Sequence, residues 1–359
     1  MSARKILGGV VVVVVATAVL AVGFRDQIFE QLVTKTAAKR MKENFLADLP
    51  DGLHVGLCGA GSPLPDPKRE PPCAVVVAGK RLFVVDAGSG AGRNIVKLGF
   101  NPGDIEAVFL THFHSDHIDG LGELMLMHWG GRPTTKPLPI YGATGVSLIV
   151  NGLNQVYSQD MTYRVAHHGI ETMAPGGFGG EARVFETPSK EGRTVLIDEP
   201  DLQVVAFSVM HAPIHPAVGY RIRYKDRTMV ISGDTAKSAA VQREAKGVDQ
   251  LVHEALNPKL VGLLQVQAEL AGNKKLAKIF GDIPNYHTPP EQVAEIARDA
   301  GVGYVLLTHV VPALPMSAMD GWFLGNSREI FQGKLKVGAD GDFVSMLPGN
   351  KEIKLVNRH

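Results

Sequence analysis

The chain has 359 residues, 45% of them hydrophobic and 20% charged, with a formal net charge of +1. That composition is globular and excludes a collagen-like, coiled-coil or disordered chain. It lacks the basic excess of a dedicated nucleic-acid binder, and its two cysteines are too few for a disulfide framework or a four-thiolate zinc site.

From Ile6 to Phe24 run nineteen residues without a charge. As a helix they are long enough to cross a hydrocarbon core of about 30 Å. Arg4 and Lys5 precede the run, so the positive-inside rule places the N-terminus in the cytoplasm and the rest of the chain outside it, in the periplasm or beyond the cell. Cleavage as a signal peptide stays open, since Ala16-Thr17-Ala18 supplies small residues, and the protein would then be secreted. Residues 25–50 follow as an amphipathic juxtamembrane helix, with Ile28, Phe29, Leu32 and Val33 at helical spacing. Lying on the membrane, capping the folded body and serving as a solvated spacer all remain open for it. Residues 1–50 hold 7 Lys/Arg and 4 Asp/Glu, which leaves 30 basic and 32 acidic residues, a balance of about −2, in the body over 51–359.

The body alternates short apolar runs with helical patterns. Strands are expected at His54–Leu57, Ala74–Val77, Leu82–Val85, Ala107–Leu110, Leu202–Val209, Tyr220–Tyr224, Met229–Ser232 and Tyr304–Leu307. Helices are expected at Gly120–Trp129, Gly145–Tyr157, Leu260–Phe280 and Pro290–Ala300. The mixture is that of an α/β or α+β domain. Gly61–Pro72 and Ala174–Gly180 read as surface loops near a site mouth. Cys58 and Cys73 bracket the first of these loops. In an exported domain they would oxidise, worth about 3 kcal/mol in the chain-entropy model; two buried free thiols are the alternative.

The sharpest signal is Thr111-His112-Phe113-His114-Ser115-Asp116-His117, which follows the apolar run Ala107–Leu110. In extended chain, side chains two apart share a face, so His112 and His114 can bind one ion together. Asp116 and His117 come after a turn and can serve a second. Imidazoles and a carboxylate at this density suit a borderline metal such as zinc. Three further strand-like runs end in possible ligands: Leu202–Val209 before His211, Met229–Ser232 before Asp234, and Tyr304–Leu307 before His309. A carboxylate at Asp234 can share its two oxygens between cations.

This pattern resembles the metallo-β-lactamase superfamily. The resemblance implies a four-layer αβ/βα sandwich with a dinuclear zinc site at one edge. It implies that His112, His114 and His211 hold the first Zn2+. Asp116, His117 and His309 would hold the second, whose site is open to Mn2+ or Fe2+, and Asp234 would bridge. Asp86 in Val85-Asp86-Ala87-Gly88 matches the family's buried aspartate that braces the histidine loop. Val252-His253-Glu254-Ala255, Tyr286-His287-Thr288-Pro289 and Gly219-Tyr220-Arg221 look like the ribonuclease Z and arylsulfatase-like branch. There Glu254 would orient His287, and His287 would assist the leaving group. An ordinary helix-start residue and a surface histidine are the plainer readings of the two.

Three departures separate the chain from ribonuclease Z of the short type. Only Ile222 to Ser232 lie where that type carries its tRNA-gripping arm, Leu256 stands where it has Thr, and the anchor places the body away from cytoplasmic tRNA. The Cys58–Pro67 stretch and Arg164–Gly169 look more like exported arylsulfatase-like members. His167 and His168 there either face substrate or serve a structural loop. The expectation is therefore a membrane-anchored dinuclear zinc hydrolase. In it a metal-bridging hydroxide, oriented by Asp116, attacks a phosphodiester or aryl sulfate ester. The alternatives are tRNA 3′-processing and lactone or β-lactam hydrolysis. The expected partners are a small anionic ester and the membrane, with a homodimer open. Nucleic acid is not expected as a partner on the charge of the body, the tRNA alternative aside.

Overall fold

The computed structural model describes residues 24–42 and 44–358. The expected anchor over 1–24 lies outside the described residues, Phe24 apart; among the described residues no helix is long and apolar enough to cross a membrane. The chain divides into residues 1–45 and 46–359. The first unit contains helix α1 (Arg25–Lys42), on which Ile28, Phe29, Leu32 and Val33 are all exposed.

The second unit is built on two sheets. Strands β1 (Leu53–Gly59), β2 (Cys73–Ala78), β3 (Arg81–Val85), β4 (Ile105–Phe109), β5 (Leu138–Ala143) and β6 (Gly180–Phe185) belong to one sheet. Strands β7 (Arg193–Asp198), β8 (Leu202–Ser208), β9 (Val218–Tyr224), β10 (Arg227–Ile231), β11 (Gln250–Leu256), β12 (Tyr304–Val311) and β13 (Lys334–Val337) form the other. The chain then returns to the first sheet with β14 (Asp342–Met346) and β15 (Lys354–Asn357), giving the orders β15-β14-β1-β2-β3-β4-β5-β6 and β13-β12-β11-β10-β9-β8-β7. In each sheet antiparallel hairpins give way to parallel pairs, at β3–β4 and at β10–β11.

Burial explains why these segments are strands. Every residue of β1, β2 and β11 is buried, as expected of strands covered on both faces. One core lies between the sheets, where Val55, Val76, Phe83 and Phe109 of the first meet Val204, Tyr220, Ile222 and Leu306 of the second. Helices cover the outer faces. On the first sheet these are α2 (Ala91–Lys97), α4 (Leu121–Gly131) and α5 (Val146–His168), with the four-residue α3 (Ser115–Ile118) preceding α4. On the second, Val230, Leu251 and Val305 pack with Val293, Ile296 and Ala297 of a helix over Pro290–Ala300. Its ends are written in sequence: Pro290 opens it, and Gly301 at φ 67 closes it by donating to the Ala297 and Arg298 carbonyls.

Two expectations change. The single helix over Leu260–Phe280 is two, α6 (Pro258–Leu270) and α7 (Lys274–Asp282), and the helix over Pro290–Ala300 is therefore α8. Gly272 breaks the first at φ 71, and the Asn273 side chain caps the second by accepting from Leu276 N at 3.0 Å. The helix begun at Gly145 continues through Arg164–His168, so that stretch is helical rather than a loop. The cysteine alternative resolves to a bonded Cys58–Cys73 pair, with Cα atoms 5.0 Å apart.

Candidate active site

The site forms where strand ends and their following turns converge. Asp86 leaves β3 at φ 57 and faces the segment that leaves β4. It accepts from Thr111 N and Thr111 Oγ1, both at 2.8 Å, and lies 2.9 Å from His117 Nδ1. A buried carboxylate with these donors is satisfied, and it fixes the backbone and the ring at once. The main chain repeats the link, with Ala87 N donating to His117 O at 2.8 Å and Gly120 N to Ala87 O at 2.9 Å. Gly120 is required here, because a Cβ would stand 2.1 Å from the Gly88 carbonyl oxygen.

Asp116 and His117 are buried on the single turn of α3, after His112 and His114. His112 Nε2 and His114 Nδ1 are 3.0 Å apart. His211 follows β8, and its Nδ1 donates to the Tyr286 carbonyl at 3.0 Å, which leaves Nε2 for the site. Asp234 follows β10 through Gly233, whose φ is 60. His309 interrupts β12 at φ 45, where the β11–β12 register slips: Glu254 pairs with Thr308, and Ala255 with Val310. His309 is thus a bulge residue, and the extra position turns its ring into the site.

These seven residues come together. Asp234 Oδ2 lies 3.1 Å from His309 Nε2, 3.4 Å from His117 Nε2, and 3.9 Å from both His112 Nε2 and His211 Nε2. Asp116 Oδ2 lies 3.3 Å from His309 Nε2 and 3.5 Å from His117 Nε2. Three donor sets able to hold a metal ion result, His112/His114/His211/Asp234, Asp116/His117/His309 and Asp234/His287/His309, each with its donor atoms within 4.8 Å of one another. Asp116 Oδ2 and the Nε2 atoms of His117, His211 and His309 are buried without a hydrogen-bond partner. Orphaned polar atoms pointing at one another are costly unless a cation joins them, so the residues fit divalent metal.

The proton balance carries the same message. Burial opposes charge on His309, but Asp234 and Asp116 outweigh it and hold the ring up at about 9. Burial likewise opposes charge on His117, yet Asp234, Asp86 and Asp116 hold it well above its usual range. His211, where burial prevails, is pushed down to about 4. His112 falls well below its usual range through burial and the neighbouring His117. The carboxylates therefore call for positive charge, and protons satisfy that call where no metal does.

Glu254 and His287 stand beside this cluster. Glu254 Oε1 accepts from Thr288 N at 2.8 Å and from Thr235 N at 3.3 Å, and Oε2 lies 3.3 Å from His287 Nδ1. Neither is a helix-start or surface residue: Glu254 is within β11, and both are buried. A cavity of about 160 Å³ opens over His114, Asp116, Asp234, His287 and His309 and is completed by residues of the Gly61–Pro72 loop and of the segment around α7. His167 and His168 lie exposed on the last turn of α5 and do not line that cavity. Met125 and Trp129 are core residues. Thr111 and the Tyr286 carbonyl were not anticipated; Thr111 directly precedes the histidine cluster, but a carbonyl contact leaves no mark in sequence.

A family model described as the metallo-beta-lactamase superfamily matches residues 68–309. Curated relatives include ribonuclease Z of Mycolicibacterium gilvum, 34% identical over 300 residues that cover 83% of this chain and 97% of the relative. Ribonuclease Z of Mycobacterium avium is 31% identical over 290 residues, covering 80% and 96%. Among solved structures, the metallo-beta-lactamase fold protein YhfI of Bacillus subtilis has a TM-score of 0.58 at 19% identity, covering 82% of this chain and 100% of that one. Human tRNase Z, short form, has a TM-score of 0.54 at 20% identity, covering 81% and 98%. The relatives overturn the expectation that nucleic acid is not a partner, since they carry the name of an enzyme that acts on RNA. The physical reason is that net charge is a sum over the whole body and does not report the local field at a site.

Proposed function

The chain belongs to the metallo-beta-lactamase superfamily, and from that premise we propose that it is a metal-dependent hydrolase that cleaves phosphodiester bonds in RNA. The observation that carries the reading is a similarity running almost the full length of relatives named ribonuclease Z. The buried His287, with Nδ1 3.3 Å from Glu254 Oε2 and grouped with Asp234 and His309 among the donor residues, supports it.

Metal ions in these sets, zinc by donor chemistry with manganese or iron open at the second, would supply Lewis acidity and make water nucleophilic at neutral pH. The placing of the chain's own groups supports the following roles. His112, His114 and His211 would hold the first ion and Asp116, His117 and His309 the second, with Asp234 available to both. Asp116 also orients the attacking water. With Nδ1 turned to Glu254, His287 has Nε2 left to donate a proton to the departing oxygen. Glu254 cannot turn away, because two backbone N–H groups grip its other oxygen. The uncharged run Ile6–Phe24 after Arg4 and Lys5 supports a membrane tether with the body outside the cytoplasm.

The test is a substrate panel on the zinc-loaded protein: precursor tRNA, an unstructured RNA, bis-p-nitrophenyl phosphate, an aryl sulfate, a lactone and a β-lactam. RNA and diester cleavage is expected, with both lost in Asp234→Ala. A dominant sulfatase, lactonase or lactamase rate with no diester turnover would overturn the reading.

A further inference from the structure

Helix α6 is apolar on two sides. Leu260, Val261 and Ala268 turn inward and are buried in the cores beneath it. Leu263, Val266 and Leu270 recur at helical spacing on the other side, and they are 54%, 48% and 77% exposed. At 100° per residue these three and Lys259 fall within an arc of about 60°, and the apolar part runs for about 10 Å along the axis. Single apolar residues on a surface are ordinary, but a stripe of them opposite a buried face is not. A helix that is apolar all round belongs in an interior or in lipid.

Cations bracket the stripe along the chain. Lys259 stands in the first turn of α6, and Lys274 and Lys275 in the first turn of α7; neither first turn holds an acid. A helix start carries the positive end of the macrodipole, so cations there cost the helix stability. All three lysines are exposed and, among the described residues, form no ion pair. Lys278, further along α7, is paired with Asp282. Glu269 is the other acid of the helix pair, and its Oε1 accepts from Gln265 Nε2 at 3.2 Å. Three unpaired positive charges therefore accompany an open apolar stripe, and no gain within the chain accounts for either.

Charge and size choose the occupant. A second copy fits poorly, because two-fold pairing of the stripe sets lysine against lysine in either direction. Three apolar side chains also fall well short of the about 800 Å² that each partner gives to a stable protein interface. An anionic bilayer meets both features at once. Its acyl boundary takes the apolar stripe, while the lysine stems lie along the helix and carry their charges to the headgroups. We propose that α6 and the start of α7 dock on an anionic lipid bilayer, with the α6 axis along the surface and Leu263, Val266 and Leu270 turned into it. Ile279, on the same helix as Lys274 and Lys275, lines the cavity over the donor residues. Docking would thus hold the mouth of the site at the membrane. The inference concerns where the site works and stands apart from which bond it cleaves.

The Cys58–Cys73 bond leaves no free thiol, so one added cysteine can carry a fluorescent dye. The full chain with Val266→Cys is labelled and reconstituted with vesicles of phosphatidylglycerol and phosphatidylcholine, or of phosphatidylcholine alone. Val195→Cys, 51% exposed on the edge strand β7, is the reference. In the anionic vesicles a spin-labelled lipid should quench the dye at position 266 about threefold more than at position 195. Each lysine near an anionic surface is worth about fivefold in binding, so Lys274→Glu with Lys275→Glu should lower the docked fraction relative to the free by about 25-fold or more. Quenching at position 266 should then fall to the reference level, as it should in phosphatidylcholine alone. Equal quenching at the two positions in anionic vesicles overturns the docking surface. Quenching at position 266 that survives the double charge reversal, or that is as strong without phosphatidylglycerol, overturns it too. Disulfide-linked pairs of the unlabelled Val266→Cys chain, without lipid quenching of the labelled one, would give the face to a second copy and overturn it as well.

Discussion

Asp86 contacts none of the atoms placed at the reacting centre, yet one side chain sets both a backbone and a ring. It holds Thr111 by two hydrogen bonds and His117 by a third contact, and its left-handed φ of 57 is paid for by them. Losing it would free the His117 ring and its tautomer. Asp86→Ala should weaken zinc binding by about 10–100-fold, read by competition with a chelating dye. His54 is a contrasting case, remote from the site. It is fully buried, stacked 5.9 Å from Phe343, with Nε2 donating to Pro50 O at 3.0 Å and Nδ1 unpartnered. Burial lowers its pKa. The unfolded chain then takes up a proton below about pH 6.5 that the folded ring refuses, so stability falls as pH drops through that value. His54→Phe should shrink the difference in urea midpoint between pH 7.5 and pH 5.5, measured on metal-free protein. An unchanged difference would mean that other groups set the acid response.

At the scale of elements, the helix pair α6–α7 is the part of the site that sequence reading served least well. The histidine cluster from His112 to His117 was legible because its ligands are neighbours along the chain. The pair that shapes the cavity was merged into one helix, although Gly272-Asn273 carried both a stop and a start signal. The cavity-lining residues Ile279 and Ile283 read as ordinary helical apolar positions, since only the tertiary fold brings Leu64 and His287 beside them. β5, β6, β7 and β11 are absent from the expected strands, as are the short β13, β14 and β15; the last two return to the first sheet, a crossing that no local pattern encodes. The entry to α6 depends on Asn257. Its Oδ1 accepts from Lys259 N at 3.0 Å and Leu260 N at 3.1 Å, and its Nδ2 donates to Phe323 O at 2.8 Å. Asn257→Ala should cost about 1–2 kcal/mol, seen as a lower urea midpoint.

For the whole molecule, the donor residues are divided between the two sheets. His112, His114, Asp116 and His117 follow β4 of the first, while His211, Asp234 and His309 belong to the second. Bound metal would therefore clamp the halves of the sandwich as well as serve chemistry. A ligand present at a thousand times its dissociation constant adds about 4 kcal/mol. Stripping the metal with a strong chelator should lower the melting temperature by on the order of 10 °C while leaving the far-ultraviolet circular dichroism unchanged. A melting temperature indifferent to chelation would show that the sheets are held by their shared core alone. Fold class was legible because alternating apolar runs need only local sequence; the partner class was not, because a charge total hides where the charges sit.

The bulge at His309 has an evolutionary consequence. Pairing on either side of it is regular, so loss of this one codon would bring Val310 next to Thr308 and close the ladder against Ala255 without a gap. The fold would lose a strained residue, and the site would lose one of the donors that could hold a metal ion. A sandwich of this design lies one in-frame deletion away from a chain whose β11–β12 ladder pairs without a break but which lacks one of its clustered donors.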